Sequence, residues 1–343
     1  MYDKLRNLMF RWDPEEVHDF IMGLVRAAGA VPGLSPMIRK WILPPGDHRV
    51  SCLGLEFPNR VGLAAGYDKD GLGWKGLAML GFGHLEIGTV TPEPQEGNPR
   101  PRIFRIPEEK ALINRMGFPG RGSAFVRSQL EPRGSGRIRD QIILGVNLGK
   151  NQSVPNREAV RDYLLLLDEF APLADYLAVN VSSPNTVGLR RLQARDDLES
   201  LLDALVNRRN HLAKDLGKGL PVVVKLSPDL SDQALDDALE AVQQSGADGV
   251  IAANTTVSRP GEVSKLTQEE GGLSGEPLRD LSTTMIGKIY RRTGGHLPII
   301  GAGGIAGAED ARSKLEAGAS LVQVYTGLIY QGPLLVRRIL QGL

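Results

Sequence analysis

Short apolar runs ending on glycine or a small polar residue recur along the chain, and most are separated by longer stretches with helical spacing. There are eight such runs: RVGLAAG (60–66), HLEIGTV (84–90), IILGVNLG (142–149), YLAVNVSS (176–183), PVVVKLS (221–227), GVIAANTT (249–256), PIIGAGG (298–304) and SLVQVYTG (320–327). Their continuous apolar character fits strands buried on both faces, as in a parallel sheet. Between them the spacing predicts helices over Ala159–Phe170, Asp197–Leu212, Ser231–Ser245 and Ala308–Ala317, with Ser231 as a cap. Strands alternating with helices imply right-handed βαβ units. Eight units over about 280 residues match a (β/α)8 TIM barrel. A doubly wound open sheet is the rival, weakened because no GxGxxG follows the first run.

Three stretches depart from this rhythm. Residues 1–45 precede the barrel as a small helical extension, in which Val17, Phe20, Ile21, Leu24 and Val25 share one helical face behind an Asp13-Pro14 start. Residues 91–118 form a long excursion after the second run, and long βα loops are usually functional. The fourth run continues into SSPNT (182–186), where hydroxyls and amides surround a proline. That is either a polar turn or a loop that handles a small polar ligand.

Composition narrows the function classes. Lys plus Arg is 41 against 40 acidic residues, a net charge of +1, which gives no electrostatic case for nucleic acid. Cys52 is the only cysteine, so an internal disulfide, a Cys-rich zinc site and a CxxC pair are excluded. No apolar run approaches the roughly 20 residues of a membrane span, and the N-terminus lacks the apolar core of a secretory signal.

A barrel's active face lies at the strand C-terminal ends. The polar residues there are Asp68, Lys69, Thr89, Asn147, Asn180, Ser182, Ser183, Asn185, Lys225, Asn254, Thr255 and Tyr325. They contain no histidine and no close carboxylate pair, which argues against metal hydrolysis, a Ser-His-Asp triad and glycoside hydrolysis. Amides and hydroxyls suit a planar heterocycle, because Asn donates and accepts at once. GAGGI (301–305) and VYTGL (324–328) fall where barrels bind phosphate, though glycines there also simply make tight turns.

The chain resembles the dihydroorotate dehydrogenase family, in its quinone-linked class 2 branch. The resemblance rests on GLAAGYDKDG (62–71), GFGHLEIGTVTPEPQEGNPRPRIFR (81–105), LINRMGF (112–118), GVNLGKN (145–151), NVSSPNT (180–186), VKLSPDL (224–230), GGLSG (271–275), PIIGAGGI (298–305) and GASLVQVYTG (318–327). It implies an FMN-binding (β/α)8 barrel over 46–343 and a membrane- and quinone-associated segment over 1–45. The reaction it implies oxidises dihydroorotate to orotate in pyrimidine synthesis and passes the electrons to quinone. By position it implies that Ala65, Gly66, Tyr67, Asp68, Lys69, Thr89, Asn147, Asn180, Lys225, Ala253, Gly275, Gly304, Tyr325 and Thr326 surround FMN. Lys69, Asn114, Arg115, Met116, Gly117, Phe118, Asn180, Asn185, Asn254 and Thr255 would hold the substrate, and no metal is implied. Ser183 falls at the catalytic base, where cytosolic class 1 relatives carry cysteine; Ser182 is the competing candidate. Thr or water would relay its proton.

The resemblance also implies His18 and Arg105 near the quinone head, with Tyr325 between flavin and quinone. It further implies a peripheral, monotopic location on the cytoplasmic side of the cell membrane. Tyr2, Leu5, Leu8, Met9, Phe20, Ile21 and Leu24 offer an apolar face for that contact, or for packing on the barrel. Ala253, Tyr67 and Val187 depart from the usual pattern, which has threonine, an apolar residue and proline there. Two other readings stay open: an FMN reductase acting on a different pyrimidine, and a barrel that only binds a phosphorylated ligand.

Overall fold

The computed structural model describes residues 2–131, 136–139, 141–260 and 268–343. Its centre is a closed barrel of eight parallel strands: β1 (Val61–Leu63), β2 (His84–Val90), β3 (Ile143–Leu148), β4 (Tyr176–Asn180), β5 (Val222–Leu226), β6 (Gly249–Ala252), β7 (Ile299–Ala302) and β8 (Leu321–Val324). Each pairs with its neighbours in sequence, and β8 closes onto β1 through Val322–Val61 and Val324–Leu63. Closure excludes the open-sheet rival. All eight apolar runs became barrel strands, shortened where their polar ends turn into loops.

Apart from Ile143 at the start of β3, the strands are buried along their whole length because helices cover the outside and side chains fill the inside. The helix Ala159–Phe170 buries Tyr163, Leu166, Leu167 and Phe170, the i, i+3, i+4, i+7 stripe its sequence prescribes. Each such side chain contributes about 1.5–3 kcal/mol on leaving water. Ser231 caps Asp232–Ser245 by accepting from the Ala234 N–H at 3.2 Å. An antiparallel hairpin, Val50–Cys52 with Leu55–Phe57, packs Cys52 and Phe57 against Tyr176, Val223, Ile251 and Leu321 and fills the bottom of the barrel.

The excursion after β2 is built rather than loose. Ile103–Ile106 and Ala111–Asn114 pair antiparallel, and Gly272–Gly275 adds a third strand. That third strand, between β6 and β7, is not among the eight runs read as strands. The small sheet roofs the C-terminal mouth of the barrel.

Residues before the barrel form α1 (Tyr2–Met9), α2 (Pro14–Ala30) and α3 (Leu34–Ile42). The Asp13 carboxylate accepts from the Glu15 and Glu16 N–H groups, and Pro14 starts α2. Gly29 of α2 crosses Gly76 so closely that a Cβ on Gly29 would sit 2.6 Å from the Gly76 nitrogen. The apolar face of α2 divides: Val17 is buried, whereas Phe20 and Leu24 are more than half exposed. Leu5, Leu8, Trp12, Met37 and Trp41 of the extension are also exposed. Among the described residues no single helix is long and apolar enough to cross a membrane; α2 and α3 together are, but they bend by 107°.

Candidate functional site

Strand register sets the first layer of the site. Gly88 lies opposite Asn147 and Asn180 opposite Lys225, so the ends of β2 to β5 bring Thr89, Asn147, Asn180 and Lys225 together. The Thr89 hydroxyl donates to Asn147 Oδ1 at 2.6 Å; Asn180 Nδ2 donates to Thr89 Oγ1 at 2.9 Å and to Asn147 Oδ1 at 3.1 Å. These amides are buried and mutually satisfied, which fixes their orientation.

Above them runs a cavity of about 490 Å³ that starts inside the barrel mouth and extends beneath α1 and α2. Most expected residues line it: Ala65, Gly66, Tyr67, Lys69, Thr89, Asn180, Lys225, Ala253, Gly275, Gly304, Tyr325 and Thr326 on one stretch, and Asn114, Met116, Gly117, Phe118, Ser183, Asn185, Asn254 and Thr255 on another. Three side chains lie elsewhere. The Asp68 carboxylate accepts from the Leu72 and Gly73 N–H groups at 2.9 and 2.8 Å. Burial, against those two hydrogen bonds, pushes it up to about 6. Asn147 is fully buried behind Thr89 and Asn180. The Arg115 guanidinium turns to Glu269 at 2.7 Å and to the Pro101 carbonyl at 3.1 Å.

The two serines of the SSPNT loop differ sharply. Ser182 has its hydroxyl tied to Asn180 Oδ1 at 3.2 Å and accepts from Asn254 Nδ2 at 2.9 Å, behind the cavity wall. Ser183 reaches the cavity, and among the described residues its oxygen accepts only from the Asn185 N–H at 3.3 Å. Asn185 donates to Asn114 Oδ1 at 3.1 Å, joining this loop to the roof sheet. Three residues beyond Ser183, the buried Thr186 hydroxyl has no partner among the described residues. Lys69 faces the cavity without a hydrogen bond or ion pair to any described residue, and burial lowers its pKa.

At the far end, Gly303, Gly304 and Thr326 line the cavity. The buried N–H groups of Gly304 and Ile305 have no acceptor among the described residues, so the loop offers donors to an anion. A Cβ on Gly304 would lie 2.3 Å from Arg279 Cα, at φ +73, which is why only glycine fits there. The opposite end is apolar: Tyr2, Leu5, Met9, Val17, Ile21 and Val25 line it beside His18 and Arg105. Burial, aided by the Lys69 charge, lowers the His18 pKa to about 3, leaving a neutral imidazole. Arg105 donates to the Trp12 carbonyl at 2.8 Å and lies over the Phe10 ring at 4.6 Å.

Several residues of this region escaped the reading of strand ends. Glu86, Tyr176 and Gln323 form a buried polar set inside the barrel, under the amides. Their signal is a charged or amide side chain at an alternate position of an otherwise apolar run, as in HLEIGTV and SLVQVYTG. Glu15 and Arg102 carry no such signal in the sequence. Their side chains pair at 3.0 Å, and Arg102 also donates to the Glu96 and Asn98 carbonyls.

Comparison with known proteins agrees with this geometry. The profile of the family described as dihydroorotate dehydrogenase matches residues 48–343. The chain is 48% identical over 338 residues to a Stutzerimonas stutzeri protein named dihydroorotate dehydrogenase (quinone), covering 98% of this chain and 96% of that one. It is 47% identical over 344 residues to the Anaeromyxobacter protein of the same name, covering 100% and 92%. Among solved structures, Eimeria tenella DHODH in complex with ferulenol superposes with a TM-score of 0.85 at 38% identity, over 96% of this chain and 90% of that one. A closed barrel with an amide-lined cavity, matched nearly end to end by these relatives, places the chain in the dihydroorotate dehydrogenase family.

Proposed function

We propose that this chain oxidises dihydroorotate to orotate, with FMN as its flavin and a membrane quinone as final electron acceptor, in pyrimidine synthesis. The carrying observation is one continuous cavity with three chemistries: backbone donors at one end, serine and asparagines in the middle, and an apolar mouth under α1 and α2.

The residues fit a flavin mononucleotide. Unpaired amides of Gly304 and Ile305 suit a phosphate. Ala65, Gly66, Thr89, Ala253 and Gly275 give a wall of small side chains for a flat ring, and Lys225 gives it a donor. FMN held there would supply a two-electron acceptor for the substrate's hydride. Asn114, Asn185, Asn254 and Thr255 orient the pyrimidine, and the Lys69 ammonium neutralises its carboxylate. Ser183 Oγ removes the proton from C5, so that a C5–C6 double bond forms as hydride leaves C6. A hydroxyl is a weak base, so burial of the loop and a relay for its proton are both needed. Thr186, with its buried unpartnered hydroxyl, suits that relay through a water. Lys225 offers a cation to the ring as negative charge arrives.

His18, Arg105 and Tyr325 suit the quinone head, and the exposed Leu5, Leu8, Phe20, Leu24 and Trp41 suit a peripheral contact with the cytoplasmic face of the cell membrane. Purified, flavin-loaded protein should bleach on anaerobic addition of dihydroorotate and recolour with quinone, but not with fumarate or NAD. No bleaching, or recolouring by fumarate alone, refutes the reading.

A further inference from the structure

Beneath the cavity a carboxylate sits where the reaction as described has no use for one. Glu86, midway along β2, has a fully buried side chain. Its Oε1 accepts from Asn147 Nδ2 at 2.8 Å and lies 3.8 Å from the Lys225 ammonium. Its Oε2 accepts from the Tyr176 hydroxyl at 3.0 Å and from Gln323 Nε2 at 2.8 Å. An anion so placed is expensive unless paired, and its three hydrogen bonds and the lysine are the compensation.

We propose that Glu86 is a positioning residue that sets how strongly the site favours reduced flavin. This rests on the reading that flavin binds in the cavity walled by Lys225. The carboxylate acts in two ways. By drawing the Asn147 amide N–H₂ downward, it commits Asn147 Oδ1 to Thr89 and Asn180, and so fixes the orientation of these two side chains in the cavity wall. By pairing with Lys225 from below, it offsets part of the cation that would otherwise stabilise an electron-rich ring. The site thereby holds its electrons loosely enough to surrender them to quinone.

The Glu86→Gln variant removes the charge and keeps the shape. The Gln323 Oε1 is buried without a partner, so that amide can turn round and accept from the new one. Flavin-loaded wild type, Glu86→Gln and Tyr176→Phe are titrated against reference dyes, and each is also mixed anaerobically with dihydroorotate. For Glu86→Gln the ratio of reduced to oxidised flavin at fixed potential should rise at least about tenfold, about 30 mV for a two-electron couple, with slower reoxidation by quinone. Tyr176→Phe leaves the charge less dispersed and should move the ratio the opposite way. A Glu86→Gln ratio within about twofold of wild type, which is about 9 mV on the same scale, overturns the proposal. If that variant does not fold or load flavin, Tyr176→Phe decides, and an unchanged or raised ratio overturns it. Failure of dihydroorotate to bleach wild type counts against the functional reading alone, because the dye titration still reports on Glu86.

Discussion

The imidazole of His18, in the N-terminal extension, stands edge-on to the ring of Tyr67 with centroids 5.2 Å apart, and Tyr67 meets Tyr325 in the same way at 5.5 Å. The extension is thus in ring contact with residues of the barrel cavity. With its pKa lowered to about 3, chiefly by burial, His18 is neutral throughout the working range and can donate or accept one hydrogen bond. His18→Ala should slow reoxidation by quinone roughly tenfold, the worth of about one hydrogen bond, while flavin bleaching by dihydroorotate stays unchanged. Stopped-flow measurement of the two half-reactions separates them, and equal losses in both would remove His18 from the quinone end. Between pH 5 and 8 the quinone step should carry no titration from this residue.

Ser183→Ala tests the opposite half. The hydroxyl reaches the cavity, and losing it costs no hydrogen bond that builds the loop beyond the one from Asn185. Flavin content and substrate affinity should persist while bleaching slows by about 10²–10⁴-fold, the usual worth of a general base. Ser182→Ala should instead loosen Asn254 and Asn180, which it bridges. Its effect should fall mainly on substrate affinity. Normal bleaching in Ser183→Ala would transfer the proton to water.

Much of this is legible in the sequence. Strand runs announce themselves when both faces are buried, and Asn180 or Lys225 stands out because a polar group ends an apolar run. Glu86 and Gln323 stayed hidden because each sits within such a run, where one polar residue reads as noise until the barrel closes around it. The roof strand Gly272–Gly275 was hidden for another reason: its pairing partner lies about 160 residues away, and glycines carry no alternation to read. The division of the α2 face also needed the barrel, since periodicity assigns a face but not what covers it.

The Glu15–Arg102 pair ties α2 to the excursion. Asn98, whose carbonyl takes an Arg102 hydrogen bond, in turn donates to the Asn185 carbonyl at 3.1 Å. Both partners are nearly buried, with side chains 11% and 9% exposed; removing Glu15 leaves the Arg102 charge uncompensated, whereas Glu15 keeps Arg100 at 3.1 Å when Arg102 is removed. Glu15→Gln should lower unfolding free energy by about 3–5 kcal/mol. Arg102→Leu should cost a similar amount: Glu15 keeps its pair with Arg100, but the Glu96 and Asn98 carbonyls lose their donor. Urea unfolding of both singles and the double variant checks this; strictly additive losses would mean the two residues act independently.

His84 gives a pH prediction with a definite sign. Its ring lies buried between Phe57 and Tyr176, and neither nitrogen has a partner among the described residues. Burial alone lowers its pKa to about 3. In the unfolded chain the same group titrates near 6.5, so between about pH 6.5 and 3 the unfolded state binds the extra proton. Stability therefore falls as pH drops through that window, by up to a few kcal/mol from this residue. Asp68, raised to about 6 by burial, works in the other direction: its contribution is full below about pH 4 and lost as pH rises through 6. His84→Phe keeps the ring and abolishes the titration, so its urea midpoint should fall less steeply than wild type between pH 6.5 and 4, with little change at pH 8. Parallel acid limbs for the two proteins would mean that His84 already finds a proton partner in the folded state.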